Sequence, residues 1–266
     1  MFDTAPQSTA AAPIWRPARA LGASPLQTLS AAPGAATRVV CFAGAGTSAS
    51  FFKPWRDLGG PAVAVAAYQP RGRDSRWHEP RAGLSATVAE ATAALIESAV
   101  EERLVLVGHS YGALVAYEVA QALRGTAVRV DHLVVMARPA PFMAPHTHLV
   151  ADMPDAELVA TLRAIGLEDK GILSHPGLAH LFLDTLRHDL RENHDYVHLH
   201  ARPLDCPITA FSGARDPIAT PLSMANWAAC TSAAFRHLRM PGAHFFPVAM
   251  PHRMVRLFSG LLEGKT

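Results

Sequence analysis

Gly108-His109-Ser110-Tyr111-Gly112 fits Gly-x-Ser-x-Gly, and its flanks restrict the fold more than any other feature of the chain. On the N-terminal side, four of the five residues Leu104 to Gly108 are apolar and unbroken, the pattern of a strand buried on both faces. On the C-terminal side, Ala113, Val115, Ala116 and Ala120 are interrupted by Tyr117 and Glu118, which reads as a helix. A strand that turns so sharply into a helix holds its central residue in a strained conformation, so the residues around it must be small. The turn pushes the Ser110 oxygen out over the sheet edge. Beneath it lies a helix N-terminus with free N–H groups and partial positive charge. A plain glycine-rich turn would share the glycines, and the strand before and helix after argue against it. A serine so placed still needs a base.

Strand-like runs recur at 38–43, 62–67, 104–108, 133–137 and 207–212, with 234–240 a sixth. Helical patterns fall between them at 50–59, 84–102, 111–124, 222–230 and 250–263. Such alternation implies βαβ units, hence an α/β fold with a mostly parallel sheet and helices on both faces. It breaks once, between about 140 and 205, where a proline-rich opening is followed by helical patterns at 154–165 and 177–198. Ligands of open α/β sheets bind at the C-terminal strand edge, so this insertion reads as a lid or as a purely structural cap. Leu178, Leu181, Leu183, Leu186 and Leu190 within it either line a groove or pack on the core.

At 266 residues the chain can bury one large core, and one domain with an insertion is the simplest organisation. Residues 1–34 read as a flexible leader rich in Ala and Pro, pinned by Trp15, and residues 35–266 as the folded domain. No secretory h-region and no apolar run long enough for a bilayer is apparent, so a cytoplasmic location without membrane attachment is expected. Cys41, Cys206 and Cys230 form no even set and no Cys-x-x-Cys, which suits reduced thiols, with Cys41 and Cys206 as small buried hydrophobes. A formal net charge of +2 is too slight to argue for nucleic acid.

A serine nucleophile needs a hydrogen-bonded base oriented by a carboxylate, in the chain order Ser, acid, His on this kind of sheet. Asp216 follows the strand-like run 207–212 after a Gly-Ala-Arg turn, and His244 follows the last strand in Pro-Gly-Ala-His. Both lie past strand ends, as Ser110 does. Asp131 precedes its strand, His109 is fixed inside the motif and points elsewhere, and His237 and His252 sit within elements. His146-x-His148 and His198-x-His200 have metal-like spacing but no carboxylate cluster, so no metal is expected. The oxyanion donors should be the backbone N–H of Tyr111 and an amide from the loop Ala43-Gly44-Ala45-Gly46. A phosphate-binding role for these glycines lacks the Gly-Lys-Ser/Thr and Gly-x-Gly-x-x-Gly that it requires.

From about residue 35 onward, several blocks in order resemble the type II thioesterases, stand-alone α/β-hydrolases that accompany polyketide and nonribosomal peptide synthases. CFAGAGTSASFF, GHSYGALVAYEVA, ARPAP, LRHDLRENHDY, CPITAFSGARDP and PGAHFF each resemble a block of that family. The resemblance implies an α/β-hydrolase fold, Ser110, Asp216 and His244 as the triad, and the Ala45 and Tyr111 amides as the oxyanion hole. It implies hydrolysis of acyl groups from the phosphopantetheine arm of acyl or peptidyl carrier domains, by a monomer without cofactor. An esterase or acyltransferase would carry the same triad, and a dead binding module would lack it. Tyr111 stands where the family often has Met, which suggests a reshaped acyl pocket. Carriers are acidic, so Arg71, Arg73, Arg76 and Arg81 in the loop 70–81, with Arg138, form a candidate docking surface. A solvated loop whose arginines pair with Asp74 and Glu79 is the alternative. Leu183 and Leu186 are candidate acyl contacts.

Overall fold

The structure, a computed structural model, describes residues 24–58, 60–98, 102–144, 149–168 and 171–262. Seven strands form one sheet: β1 (Leu26–Ser30), β2 (Thr37–Phe42), β3 (Val63–Tyr68), β4 (Arg103–His109), β5 (Val130–Met136), β6 (Ile208–Gly213) and β7 (Phe235–Met240). Their order across the sheet is β1-β3-β2-β4-β5-β6-β7. All neighbours are parallel except β1, which pairs antiparallel to β3. The connections run to one side of β2 as far as β3 and then cross to the other side for β4 onward. The sheet therefore has a topological switch point at the C-terminal ends of β2 and β4, where open α/β sheets place their sites.

Burial follows position in the sheet. Leu104 to His109 in β4 are all buried, whereas the edge strands β1 and β7 alternate or lie half-buried, as expected for strands covered on both faces against strands at a rim. The helices α1 (Leu84–Glu97) and α2 (Tyr111–Ala122) connect the early strands. α3 (Asp155–Ala164) and α4 (Pro176–His194) form the insertion, and α5 (Pro221–Ala225), α6 (Phe246–Ala249) and α7 (Pro251–Leu262) follow. The insertion has its own small core: Leu158, Leu162, Leu183, Leu186 and Leu190 close over Ile218 and touch Ala45 and Phe245. It thus rests on loops at the C-terminal edge of the sheet.

Several expectations shift. The leader is not structureless to residue 34, because Leu26–Ser30 adds β1 to the sheet, and Gln69 N–H also donates to the Pro25 carbonyl. Residues 1–23, Trp15 among them, lie outside the described residues, as do His146 and His148. The pattern at 50–59 is a 3-10 turn, Ala49–Trp55, with Pro54 inside it; proline removes a donor and disfavours a longer α-helix. The last helical pattern, 250–263, stands as α7 with Pro251 at its first position, and the short α6 precedes it. Cys41, Cys206 and Cys230 are free and buried. Among the described residues, no helix is long and apolar enough to cross a membrane.

Candidate active site

Ser110 sits between β4 and α2 with φ 53° and ψ −123°, a conformation that costs a non-glycine residue on the order of 1–3 kcal/mol. The surroundings enforce it. Ser110 N–H donates to the Met136 carbonyl at 2.8 Å, and the Ala113 N–H donates to the Ser110 carbonyl at 2.9 Å. A Cβ at Gly108 would meet Ala113 Cα at 2.3 Å, and one at Gly112 would meet the Phe42 carbonyl oxygen at 2.1 Å. Both glycines are therefore required by close backbone approach, and the motif spacing is a packing constraint before it is a chemical one.

His244 Nε2 lies 2.9 Å from Ser110 Oγ, and His244 Nδ1 lies 2.9 Å from Asp216 Oδ2. A carboxylate only accepts, so Nδ1 carries the proton and Nε2 is free to accept from the serine hydroxyl. Asp216 Oδ1 accepts the N–H groups of Ile218 and Ala219 at 2.9 and 3.2 Å. Burial pushes the Asp216 pKa up, but the hydrogen bonds from His244, Ile218 and Ala219 outweigh it and hold the pKa below the usual value. Asp216 and His244 are both buried. The three side chains come from the loops after β4, β6 and β7, all at one edge of the sheet.

The spacing of the motif gave no hint of what His109 does. Its ring is fully buried, stacks on Phe51 at 4.9 Å, and lies 5.1 Å from the His244 ring. Nε2 donates to the His244 backbone carbonyl at 2.9 Å. A carbonyl accepts only, so Nδ1 is bare, and it is enclosed without a partner. Burial, reinforced by repulsion from His244, lowers the His109 pKa to about 3, so the ring stays neutral and braces the loop that carries His244. His109 therefore is not the base of Ser110, as expected, and its Nε2 meets the backbone of the residue that is. A buried histidine beside a catalytic serine, on a motif too tight for a spare polar group, is the signal that could have found it.

The turn Gly44–Thr47 runs alongside. A Cβ at Gly44 would lie 3.3 Å from Ser110 Cβ, which measures how closely this backbone approaches the nucleophile. Thr47 N–H donates to the Gly44 carbonyl, and Gly46 occupies φ +72°, as the third residue of a type II turn requires. Among the described residues, neither the Ala45 nor the Tyr111 N–H donates in a turn or loop hydrogen bond. The Tyr111 N–H follows the nucleophile in the chain and the Ala45 N–H belongs to the turn whose Gly44 approaches Ser110, the pair expected to serve an oxyanion.

A cavity of about 980 Å³ opens next to this site, walled by Phe51, Trp77, Leu178, Leu181, Phe182 and Phe245. Its wall includes Gly46 and Phe245, the chain neighbours of Ala45 and His244, but none of Ser110, Asp216 and His244. Leu183 and Leu186 are not acyl contacts in this geometry. They are 5% and 1% exposed and belong to the insertion's own core, because α4 turns the opposite stripe, Leu178 and Leu181, to the cavity. The Tyr111 side chain is buried beside Arg73 and Asp189, so it does not shape the large cavity as its bulk suggested.

The arginines are committed within the chain. Arg71 donates from Nε and Nη2 to Glu90 Oε1 at 2.9 and 2.7 Å, and Arg76 reaches both Glu90 oxygens at 2.8 Å and both Glu79 oxygens at 2.6–2.7 Å. Arg73, 9% exposed, pairs with Asp189 of α4 at 2.6 Å. Arg81 pairs with Asp184. Arg138 donates to Asn193 at 2.8 Å, and burial lowers its pKa to about 10. Arg73 and Arg138 therefore cannot form an open docking face, and Arg71 and Arg76 are held by carboxylates. The pairing alternative was right in kind but named Asp74 and Glu79, of which only Glu79 serves. His198 and His200 face Tyr117 and Glu118, and among the described residues no His, Cys, Asp or Glu cluster could hold a metal.

The model of the thioesterase domain family matches residues 37–261. Over 217 residues the chain is 36% identical to the thioesterase PikA5 of Streptomyces venezuelae, covering 81% of this chain and 77% of that one. It is 29% identical to the gramicidin S biosynthesis protein GrsT of Aneurinibacillus migulanus, covering 82% of this chain and 86% of that one. Among solved structures, RedJ, a thioesterase from the prodiginine biosynthetic pathway of Streptomyces coelicolor, superposes with a TM-score of 0.79 at 34% identity, covering 93% of this chain and 97% of that one.

Proposed function

We propose, for a chain that belongs to the thioesterase family and acts as a type II thioesterase of polyketide or nonribosomal peptide biosynthesis, that Ser110 cleaves acyl groups from the phosphopantetheine arm of carrier domains. The observation that carries the site assignment is the continuous relay Asp216–His244–Ser110, with both links at 2.9 Å. His244 Nε2 takes the Ser110 proton as Oγ attacks the thioester carbonyl. The tetrahedral oxyanion lies between the Ala45 and Tyr111 amides, which strengthen their hold as charge develops. Collapse breaks the carbon–sulfur bond, and the imidazolium returns its proton to the departing thiol. Water, deprotonated by His244, then attacks the acyl-serine ester, and the second collapse restores Ser110 and frees the acid. Asp216 stays ionised throughout and stabilises the imidazolium at each half-reaction.

The cavity beside Gly46 and Phe245 supports this reading, since its apolar wall can take an acyl chain and its size suits a small-molecule site. The test is a panel of one acyl group presented on a carrier domain, on pantetheine and on a simple oxygen ester. The expected order of kcat/KM is carrier thioester, then pantetheine thioester, then ester, with free acid as product. Equal values on all three would make the protein a general esterase, and acyl transfer to an added alcohol in place of water would make it an acyltransferase.

A further inference from the structure

The insertion makes several polar contacts with the catalytic edge, among them the His244 N–H donating to the Ile165 carbonyl at 3.1 Å, and one of them falls on the turn that carries Ala45. Asp189, on α4 and 2% exposed, accepts the Gly46 N–H at 2.8 Å through Oδ2. Its Oδ1 accepts from Arg73 Nη2 at 2.6 Å, and Arg73 Nη1 donates to the Thr47 carbonyl at 2.6 Å. Packing at the same place is close. A Cβ at Gly46 would lie 3.0 Å from Leu186 Cβ and 3.3 Å from its Cα, so α4 rests directly on this turn.

The geometry of the turn says what these contacts control. The Gly46 N–H belongs to the peptide joining Ala45 to Gly46, the unit whose orientation separates a type II turn from a type I. The preceding peptide, which carries the Ala45 N–H, is fixed from its other end. The Gly44 carbonyl accepts from Thr47 N–H at 3.1 Å and from Thr47 Oγ1 at 2.7 Å. Ala45 is thus held between two peptides, one fixed within the turn and one fixed by the insertion.

We infer that Asp189 is a positioning residue for the reaction: its carboxylate, braced by Arg73, sets the Ala45–Gly46 peptide and so aims the Ala45 N–H at the oxyanion. It touches neither substrate nor the reacting atoms and acts through Gly46. The consequence is that the oxyanion hole is complete only while α4 is seated on the turn. The inference rests on the triad reading, and Ser110→Ala assayed on the same ester checks that reading separately.

The test is Asp189→Asn in the full chain, assayed on a soluble acyl ester and titrated with an alkyl trifluoromethyl ketone, whose hemiketal oxyanion occupies the hole. Endpoint titration of Ser110 with a phosphonate normalises kcat to folded protein. Misaiming one donor should lower kcat about ten- to a hundredfold with KM changed by less than about twofold. The ketone Ki should rise by the same factor. Arg73→Gln, which keeps the carboxylate but frees Thr47, should give a smaller change of the same kind. Asp155→Asn, which breaks the surface pair with Arg187 on the insertion, should leave kcat and Ki as they are. An unchanged ketone Ki in Asp189→Asn, whatever happens to its melting temperature, would overturn the inference, as would a loss confined to KM.

Discussion

Two polar clusters lie at the same edge of the sheet, and they are built in opposite ways. In the triad, each side chain stands on a turn after a separate strand, and its hydrogen bonds end on one reactive oxygen. Around Glu90, by contrast, Arg71, Arg76 and Tyr68 converge on one carboxylate, and the hydrogen bonds close on themselves. The first cluster ends on a nucleophile beside the turn that borders the large cavity at Gly46, whereas the second holds the loop 70–81 against α1. Charge density alone does not distinguish an active site from a brace. What does is whether the hydrogen-bonding capacity is closed within the chain.

The contrast sharpens most under Asp216→Asn. An amide favours the wrong His244 tautomer and cannot stabilise the imidazolium, so kcat should fall by about 10⁴-fold while the fold survives. Steady-state kinetics with circular dichroism checks both halves. A loss below about tenfold would place Asp216 among the braces instead.

Glu90→Gln should do the reverse, sparing kcat while weakening the fold. Arg76, at 12% side-chain exposure, would lose one of its two charged acceptors and keep Glu79, at a cost of about 1–3 kcal/mol. Burial pushes the Glu90 pKa up, but hydrogen bonds from Arg76, Tyr68 and Arg71 outweigh it and bring the pKa down to about 2 from 4.5. The folded state therefore holds Glu90 ionised where the unfolded chain protonates it. Its contribution is present above about pH 4.5 and is lost as pH falls toward about 2. Urea unfolding across that window should show a steeper loss of stability in the natural chain than in Glu90→Gln. A kcat that falls along with stability would mean that the loop 70–81 takes part in catalysis.

The sequence made the triad legible because each of its residues is set by local rules. The glycines of GHSYG answer to backbone approach within the motif, and Asp216 and His244 each follow a strand that its own apolar run announces. The six strands between 37 and 240 were readable for the same reason, while β1 was not, since LQTLS sits in an Ala/Pro-rich stretch and is defined by its partner β3. The arginine partners were hidden because pairing depends on folding: Arg73 and Asp189 are 116 residues apart. α4 is a middle case. Leu183, Leu186 and Leu190 recur at helical spacing and mark the buried stripe, so the separation from Leu178 and Leu181 was readable in principle. Asp189, a carboxylate set directly beside that stripe, was the one written sign of the contact with Gly46.

The most direct test of the central claim, that Ser110 carries the acyl group, is rapid-quench mass spectrometry after mixing the protein with an acyl-carrier thioester. Trypsin releases Leu104–Arg124, in which Ser110 is the only serine. The account predicts that this peptide gains the mass of the acyl group before free acid reaches its steady rate, and that Ser110→Ala shows neither adduct nor turnover. An adduct on any other peptide, or full turnover in Ser110→Ala, would contradict it.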